Sequence, residues 1–333
     1  MRAHPHLYTA RMLSPHPLRR RPRRPRRARR AWRRPVAAVV ALATAVGLAA
    51  CVTNREEGNP AGWTEILPAT DPALAALVPP DIAARGRITA STNPPFAPNE
   101  FKDSDGRIIG YEIDLIRAAA SLLGLDVDIR QQDFNLILPS ITGGTVDVGT
   151  SGFTDTPERR TSFDFVDYYT SGIAWASRPG VTVDPADACG ATVAVQQGTY
   201  SDTDDVRVKS DACEAAGRPA IRKLVYDTSD GAAIAALLGR ADAVSADAPV
   251  VDYAVARSDG KLERRGDVFD TAPYGWAVAK DSPLGPALAA ALQTLVDSGD
   301  YRRILAPWGL TDGALDRVTV NAEPFTAPRK AGT

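Results

Sequence analysis

Apolar positions recur at two alternating periods along most of this chain, and the alternation predicts its elements. Arg87–Ser91 reads as a short β run broken by Asn93-Pro94-Pro95. Asp105-Gly106, between Phe101 and Ile108, predicts a tight turn. From Glu112 to Leu123, Ile113, Leu115, Ile116, Ala119, Ala120 and Leu123 recur at helical spacing, and Gly124 ends the helix. Strand Asp126–Arg130, helix Asn135–Ile141 and strand Val146–Ser151 follow. Thr156-Pro157-Glu158 predicts another helix start, with Pro at the first helical position. Beyond Gly180 the rhythm repeats in Thr192–Gln196, Asp204–Ala216, Lys223–Tyr226, Ser229–Leu238, Asp242–Ala246 and Pro249–Ala256. Tyr274–Ala279, Leu284–Asp297 and Tyr301–Trp308 complete it. Two successive βαβ series imply two α/β lobes rather than one sheet.

The two ends depart from this rhythm. Arg19 to Arg34 is a dense Arg/Pro run, and Val36 to Ala50 is an uncharged apolar run of 15 residues. That is short of the ~20 residues a membrane-spanning helix needs, but it fits a secretory signal. Residues 1–50 are therefore expected to be a signal peptide. Leu48-Ala49-Ala50-Cys51 resembles a bacterial lipobox, whose Cys becomes the acylated first residue of the mature chain. Two acyl chains on Cys51 would supply a stable membrane anchor. Residues 51–85, rich in Pro, Gly, Asn and Ala, read as the lipidated N-terminus and tether, and 313–333 as a polar tail.

Composition narrows the function. The formal net charge of -1 hides an asymmetry: 13 of 39 Lys and Arg lie in residues 1–34, leaving 26 basic against 40 acidic residues beyond. Such a body does not neutralise nucleic-acid phosphates. All three histidines, His4, His6 and His16, lie in the leader, so the mature chain has no His-based catalysis and no His-ligated metal. Neither metal nor cofactor is expected. Beyond Cys51 the cysteines are Cys189 and Cys213, an even remainder that in an exported chain points to a disulfide.

Four segments then share one resemblance. Gly110-Tyr111-Glu112-Ile113-Asp114-Leu115, Gly152-Phe153-Thr154-Asp155-Thr156-Pro157-Glu158-Arg159, Val195-Gln196-Gln197-Gly198-Thr199 and Asp242-Ala243-Val244-Ser245-Ala246-Asp247 stand in order. Together with Gly299-Asp300-Tyr301 and Trp308-Gly309 they resemble the solute-binding proteins of amino-acid ABC importers, over about residues 85–312. The resemblance implies a two-lobed periplasmic-binding-protein fold of type II, α/β in class, with lobes joined by two crossing strands. Lobe 1 would be 86–172 plus 275–312, and lobe 2 would be 177–270. It implies a monomer that passes an amino acid to an ABC permease with a separate ATPase, since no phosphate-binding P-loop occurs here.

The same resemblance assigns ligand-binding roles. Arg159 would clamp the ligand's carboxylate bidentately and Asp247 its ammonium, from opposite lobes. Thr154, and backbone N–H groups of Gly198, Thr199 and Tyr200, would assist at the carboxylate, Ser151 and Gly152 near the ammonium. Phe96 and Phe134 would sandwich the ligand's side chain. Thr92 or Asn93 would set specificity, and the lack of an acid there argues against Lys, Arg or His as ligand, in favour of a neutral polar or acidic amino acid. The competing reading is an exported enzyme on the same fold, such as a cyclohexadienyl-type dehydratase, with Glu100 or Glu112 as its acid–base group.

Overall fold

A computed structural model describes residues 58–326. Two short helices come first, α1 (Pro72–Ala75) and α2 (Pro80–Arg85). Asp71 caps α1 through the Ala73 N–H at 2.7 Å, and Pro occupies the first turn of both, where its missing donor costs nothing. These residues are docked rather than tethering loosely. Trp63 Nε1 donates to Asp114 Oδ2 at 2.8 Å, the Ser121 hydroxyl donates to Pro68 O at 2.6 Å, and Ile66, Leu74 and Leu77 join the first lobe's core. The composition of 58–85 hid this, because few apolar side chains and several polar anchors do the attaching.

Strands β1 (Arg87–Thr92), β2 (Phe101–Lys102) and β3 (Ile108–Ile109) lead into α3 (Tyr111–Leu122). All but the first residue of β1 is buried, as expected of a parallel strand covered on both faces. Gly110, at φ 140°, starts α3 where a Cβ would lie 2.0 Å from Asn99 O, so only glycine fits. Next come β4 (Asp126–Gln131), α4 (Phe134–Thr142) and β5 (Val148–Gly149). The helix predicted at Thr156 is only a 3₁₀ turn, Arg159–Thr161, because the chain must already enter β6 at Phe163.

Strand β6 (Phe163–Ser177) is 15 residues long, and its antiparallel partner β10 (Glu263–Ala279) is 17. Between them lie β7 (Thr192–Gln196), α5 (Arg207–Ala215), β8 (Arg222–Tyr226), α6 (Ser229–Leu237), β9 (Ala243–Asp247) and α7 (Ala248–Ala256). The chain ends with α8 (Leu284–Ser298), α9 (Asp300–Leu305), β11 (Thr319–Val320) and β12 (Glu323–Pro324). The strand order β4-β1-β5-β10-β6-β9-β7-β8 is hydrogen-bonded without a break. Two separate sheets are thus not formed, since both long strands belong to each lobe.

Separate cores nevertheless define two lobes. Ile88, Tyr111, Leu115, Tyr168, Trp276, Leu292 and Tyr301 fill the first. The second has an alanine-rich core around Ala232, Ala236 and Val251, and another around Trp175, Val193 and Cys213. Cys213 is bonded to Cys189 across the latter. Residues 313–326, the described part of the expected tail, fold back: β11 pairs Thr319 with Asp167 and Val320 with Val166, and the Leu315 N–H donates to the Tyr301 hydroxyl at 2.9 Å. A polar composition conceals such a segment because hydrogen bonds and one buried residue, Val318, hold it. The signal peptide and Cys51 lie outside the described residues.

Candidate functional site

Arg159 reaches its position through the turn that Thr156 nucleates, where the Arg159 N–H donates to Thr156 Oγ1 at 3.2 Å. Its guanidinium is held from both lobes. Nη1 donates to Thr154 O at 2.9 Å, and Nη2 to Gly198 O at 3.2 Å. Its Cζ also stands 5.9 Å from the Phe153 ring centroid. Burial lowers its pKa, and the nearby carboxylates of Asp204 and Asp247 oppose that shift. Two of its five N–H donors are therefore engaged in this closed arrangement.

The second-lobe loop meets Arg159 differently from the expectation. Gly198, at φ 74°, turns its carbonyl toward the guanidinium, while its own N–H donates to Asp202 Oδ2 at 2.9 Å. That N–H is spent on closing the loop. The Thr199 hydroxyl likewise donates to Gln196 O at 2.8 Å. Tyr200 lies with Thr154, Ser171, Asp247 and Tyr274 around a cavity of about 10 Å³, so the lobes meet closely here.

Asp247 ends β9 and precedes α7, where the helix's positive end faces it. It is 8% exposed, and burial raises its pKa to about 7 against the opposing pull of Tyr274 and Arg159. An ammonium arriving beside it would restore the ionised form.

On the first lobe, Phe134 stacks on Phe153 with centroids 4.7 Å apart. Phe96 packs against Gly152, where a Cβ would lie 2.7 Å from its ring. Phe96 and Phe134 are both buried. Ser151 is committed elsewhere than expected: its hydroxyl donates to Glu100 Oε1. The Gly152 N–H donates to Glu112 Oε2 at 2.9 Å. Thr92 is buried with Glu100 beside it.

Here the sequence argument about specificity missed an acid. No acid stands at the end of β1, but Glu100 brings its carboxyl back to Thr92 and the Asn93 backbone. Glu100 is fully buried, its Oε2 has no hydrogen-bond partner, and burial with Glu112 alongside raises its pKa well above the usual range. Asn99 and Thr92 are buried beside these two carboxyls, Thr92 against Glu100 and Asn99 against Glu112. Glu112 is raised to about 7, chiefly by burial. Gln196 was missed too. Its Nε2 donates across the lobes to Asn93 Oδ1 at 2.6 Å, and its Oε1 accepts from the Ser229 hydroxyl. Both Gln196 and Phe153 stood inside the quoted segments. Their signal was position in a motif rather than residue type.

A larger groove of about 790 Å³, bordered by Tyr169, Asp252, Tyr253, Arg264, Trp308 and Asp312, contains none of the sequence-nominated residues. Among the described residues no group of His, Cys, Asp and Glu could hold a metal ion, and no helix is long and apolar enough to cross a membrane.

Comparison with known proteins agrees with this architecture. Residues 88–311 match the model of the bacterial extracellular solute-binding proteins, family 3. The arginine-binding protein ArgT of Corynebacterium glutamicum is 52% identical over 296 residues, covering 88% of this chain and 97% of that one. The arginine-binding extracellular protein ArtP of Bacillus subtilis is 25% identical, covering 68% and 87%. A solved ancestral arginine-binding protein bound to arginine is 31% identical with a TM-score of 0.62, covering 67% of this chain and 98% of its own. These relatives are binding proteins, so the dehydratase alternative falls and the chain is not an enzyme. From fold, motifs and relatives together, the chain belongs to the bacterial extracellular solute-binding proteins, family 3, with an amino acid as ligand and an ABC permease as partner.

Proposed function

We propose that this protein captures a cationic amino acid, arginine foremost, and delivers it to its permease. Arg159 would receive the α-carboxylate and Asp247 the α-ammonium, with Thr154, Gly198, Thr199 and Tyr200 around the former. Phe96 and Phe134 would flank the aliphatic stem, and Glu100 would face the guanidinium. The lobes on this reading are 86–172 plus 275–312 and 177–270. The preference for a neutral or acidic ligand, drawn from Thr92 and Asn93, is not supported, because relatives named for arginine include one at 52% identity.

The observation that carries the reading is the buried Glu100 carboxyl, whose Oε2 makes no hydrogen bond. A buried carboxyl with one oxygen free to accept favours a cationic hydrogen-bond donor, such as a guanidinium. Calorimetry against arginine, lysine, glutamine and glutamate tests it. Arginine is expected to bind most tightly. Because burial raises the pKa of Glu100 and a cation beside it would lower it again, arginine should also release more protons than glutamine in buffers of different ionisation enthalpy. Tighter binding of glutamine or glutamate would overturn the assignment.

We further infer a monomer anchored to the outer face of the membrane through acylated Cys51. Release of the Cys51→Ala protein into the medium would support the anchor, and unchanged membrane retention would remove it.

A further inference from the structure

The segment carrying Thr154 and Arg159 is pinned from behind by two carboxyl groups that the ligand chemistry does not use. Thr154 bridges to Tyr274, and the Asp155 N–H donates to Pro273 O at 2.9 Å, so the segment lies along β10. The Asp155 side chain turns inward, fully buried, and Oδ1 takes the Arg160 Nε–H at 2.6 Å. Asp167, on β6, is buried as well. Its Oδ2 accepts from the Thr319 hydroxyl at 2.6 Å and from the Ala322 N–H at 3.0 Å. One oxygen of each carboxyl remains, Asp155 Oδ2 and Asp167 Oδ1, both buried and without another partner. The two groups face one another within hydrogen-bonding reach.

Two carboxylates so placed repel unless a proton lies between them. Arg160 decides where the proton sits. Burial raises the pKa of Asp155 and the Arg160 charge opposes that shift, so Asp155 ionises more readily and Asp167 is the partner that keeps the proton, its Oδ1–H donating to Asp155 Oδ2. We propose that Asp155 and Asp167 share one proton and act as positioning residues, holding the ligand clamp through Arg160 and tying the C-terminal strand to the ligand cleft. This rests on the reading of Arg159 as the carboxylate clamp.

The charged groups around the pair come from three elements. Arg159 and Arg160 lie on the turn after Asp155, and Lys280, at the end of β10, feels the Asp155 charge. Asp164, on β6, is taken up by Lys280 and Asn321. The C-terminal segment contributes only the neutral donors Thr319 and Ala322. No cation other than Arg160 is paired with either carboxyl among the described residues. Burial and Asp155 together raise Asp167 to about 8. The folded protein therefore holds a proton that the unfolded chain releases near pH 4. That contribution to stability declines as pH rises from about 4 and is gone above about 8.

The test compares the whole mature protein with Asp167→Asn, whose amide donates to Asp155 and still accepts from Thr319 and Ala322. Arginine affinity and the ligand-free melting temperature are measured from pH 6 to 9.5. At pH 6 the two proteins should bind alike. Above pH 8 the native affinity is expected to fall roughly threefold to tenfold further than that of Asp167→Asn, which shares every other titrating group and lacks only the Asp155–Asp167 proton. The native melting temperature should also decline toward pH 8 more steeply than that of the variant. Superimposable affinity profiles would overturn the positioning role even if melting differs, and superimposable melting profiles would overturn the shared proton. If neither protein bound any amino acid, the transport reading would fail and the positioning role with it, while the melting comparison would still decide the shared proton.

Discussion

Arg159 is half-buried and Asp247 buried, and each senses the other's charge, so removing either leaves the other facing the ligand without its counterpart. On the proposed reading, Arg159→Ala or Asp247→Ala is expected to cost about 2–5 kcal/mol in ligand affinity, the range for orphaning one member of a desolvated charge pair. Calorimetry on each variant checks this, and near-native affinity in either would remove that residue from the site. Asp247 also gives a signed pH effect. With its pKa at about 7 in the ligand-free protein, the carboxylate that an ammonium needs is progressively lost as pH falls from 7 to 5. Affinity should weaken over that window and flatten in Asp247→Asn. At this scale the sequence disclosed charge and motif position, as for Arg159, Asp247 and Phe134. It did not disclose that Ser151 serves Glu100, nor that Glu100 supplies an acid missing from the end of β1. Those facts depend on how the loop from Pro94 to Glu100 returns, for which residue spacing carries no signal.

At the scale of elements, regular periodicity was legible and its interruptions were not. The largely buried α3 and β7 begin and end within a residue of where their patterns place them. The Thr156 turn failed as a helix because tertiary connection to β6 overrode a good capping pattern. The C-terminal segment was misread because a pair of short ladders and side-chain caps leaves no periodicity to see. One element-scale prediction follows from the second lobe, whose alanine-rich core gains little from each buried methyl group. The Cys189–Cys213 bridge closes a loop across 24 residues of sequence, and chain-entropy reasoning assigns it about 3–4 kcal/mol. Replacing both cysteines with alanine should therefore lower the denaturant midpoint clearly. Hydrogen exchange should locate the loosening in α5 and β8 rather than in α8. An unchanged midpoint would mean that the second lobe does not depend on the bridge.

The whole molecule turns on contacts that cross between lobes. Gln196 Nε2 to Asn93 Oδ1 and Arg159 Nη2 to Gly198 O join the first lobe to the end of β7 and to the loop that follows it. Neither requires a ligand atom, so the chain itself offers free energy to the closed state. A ligand then shifts the balance only by what it adds on closure. The Asn93–Gln196 bond is buried, and a buried neutral hydrogen bond contributes about 0.5–1.5 kcal/mol. Gln196→Ala should therefore move the ligand-free population toward open forms by roughly threefold to tenfold. Small-angle scattering would show this as a larger radius of gyration without ligand and an unchanged one at saturation. Asn93→Ala should do the same, and the double variant should add little to either, since both remove the same bond between the lobes and their other bonds stay within one lobe. Additive losses would instead mean that each side chain meets the ligand independently, and closure would then depend on ligand contacts alone.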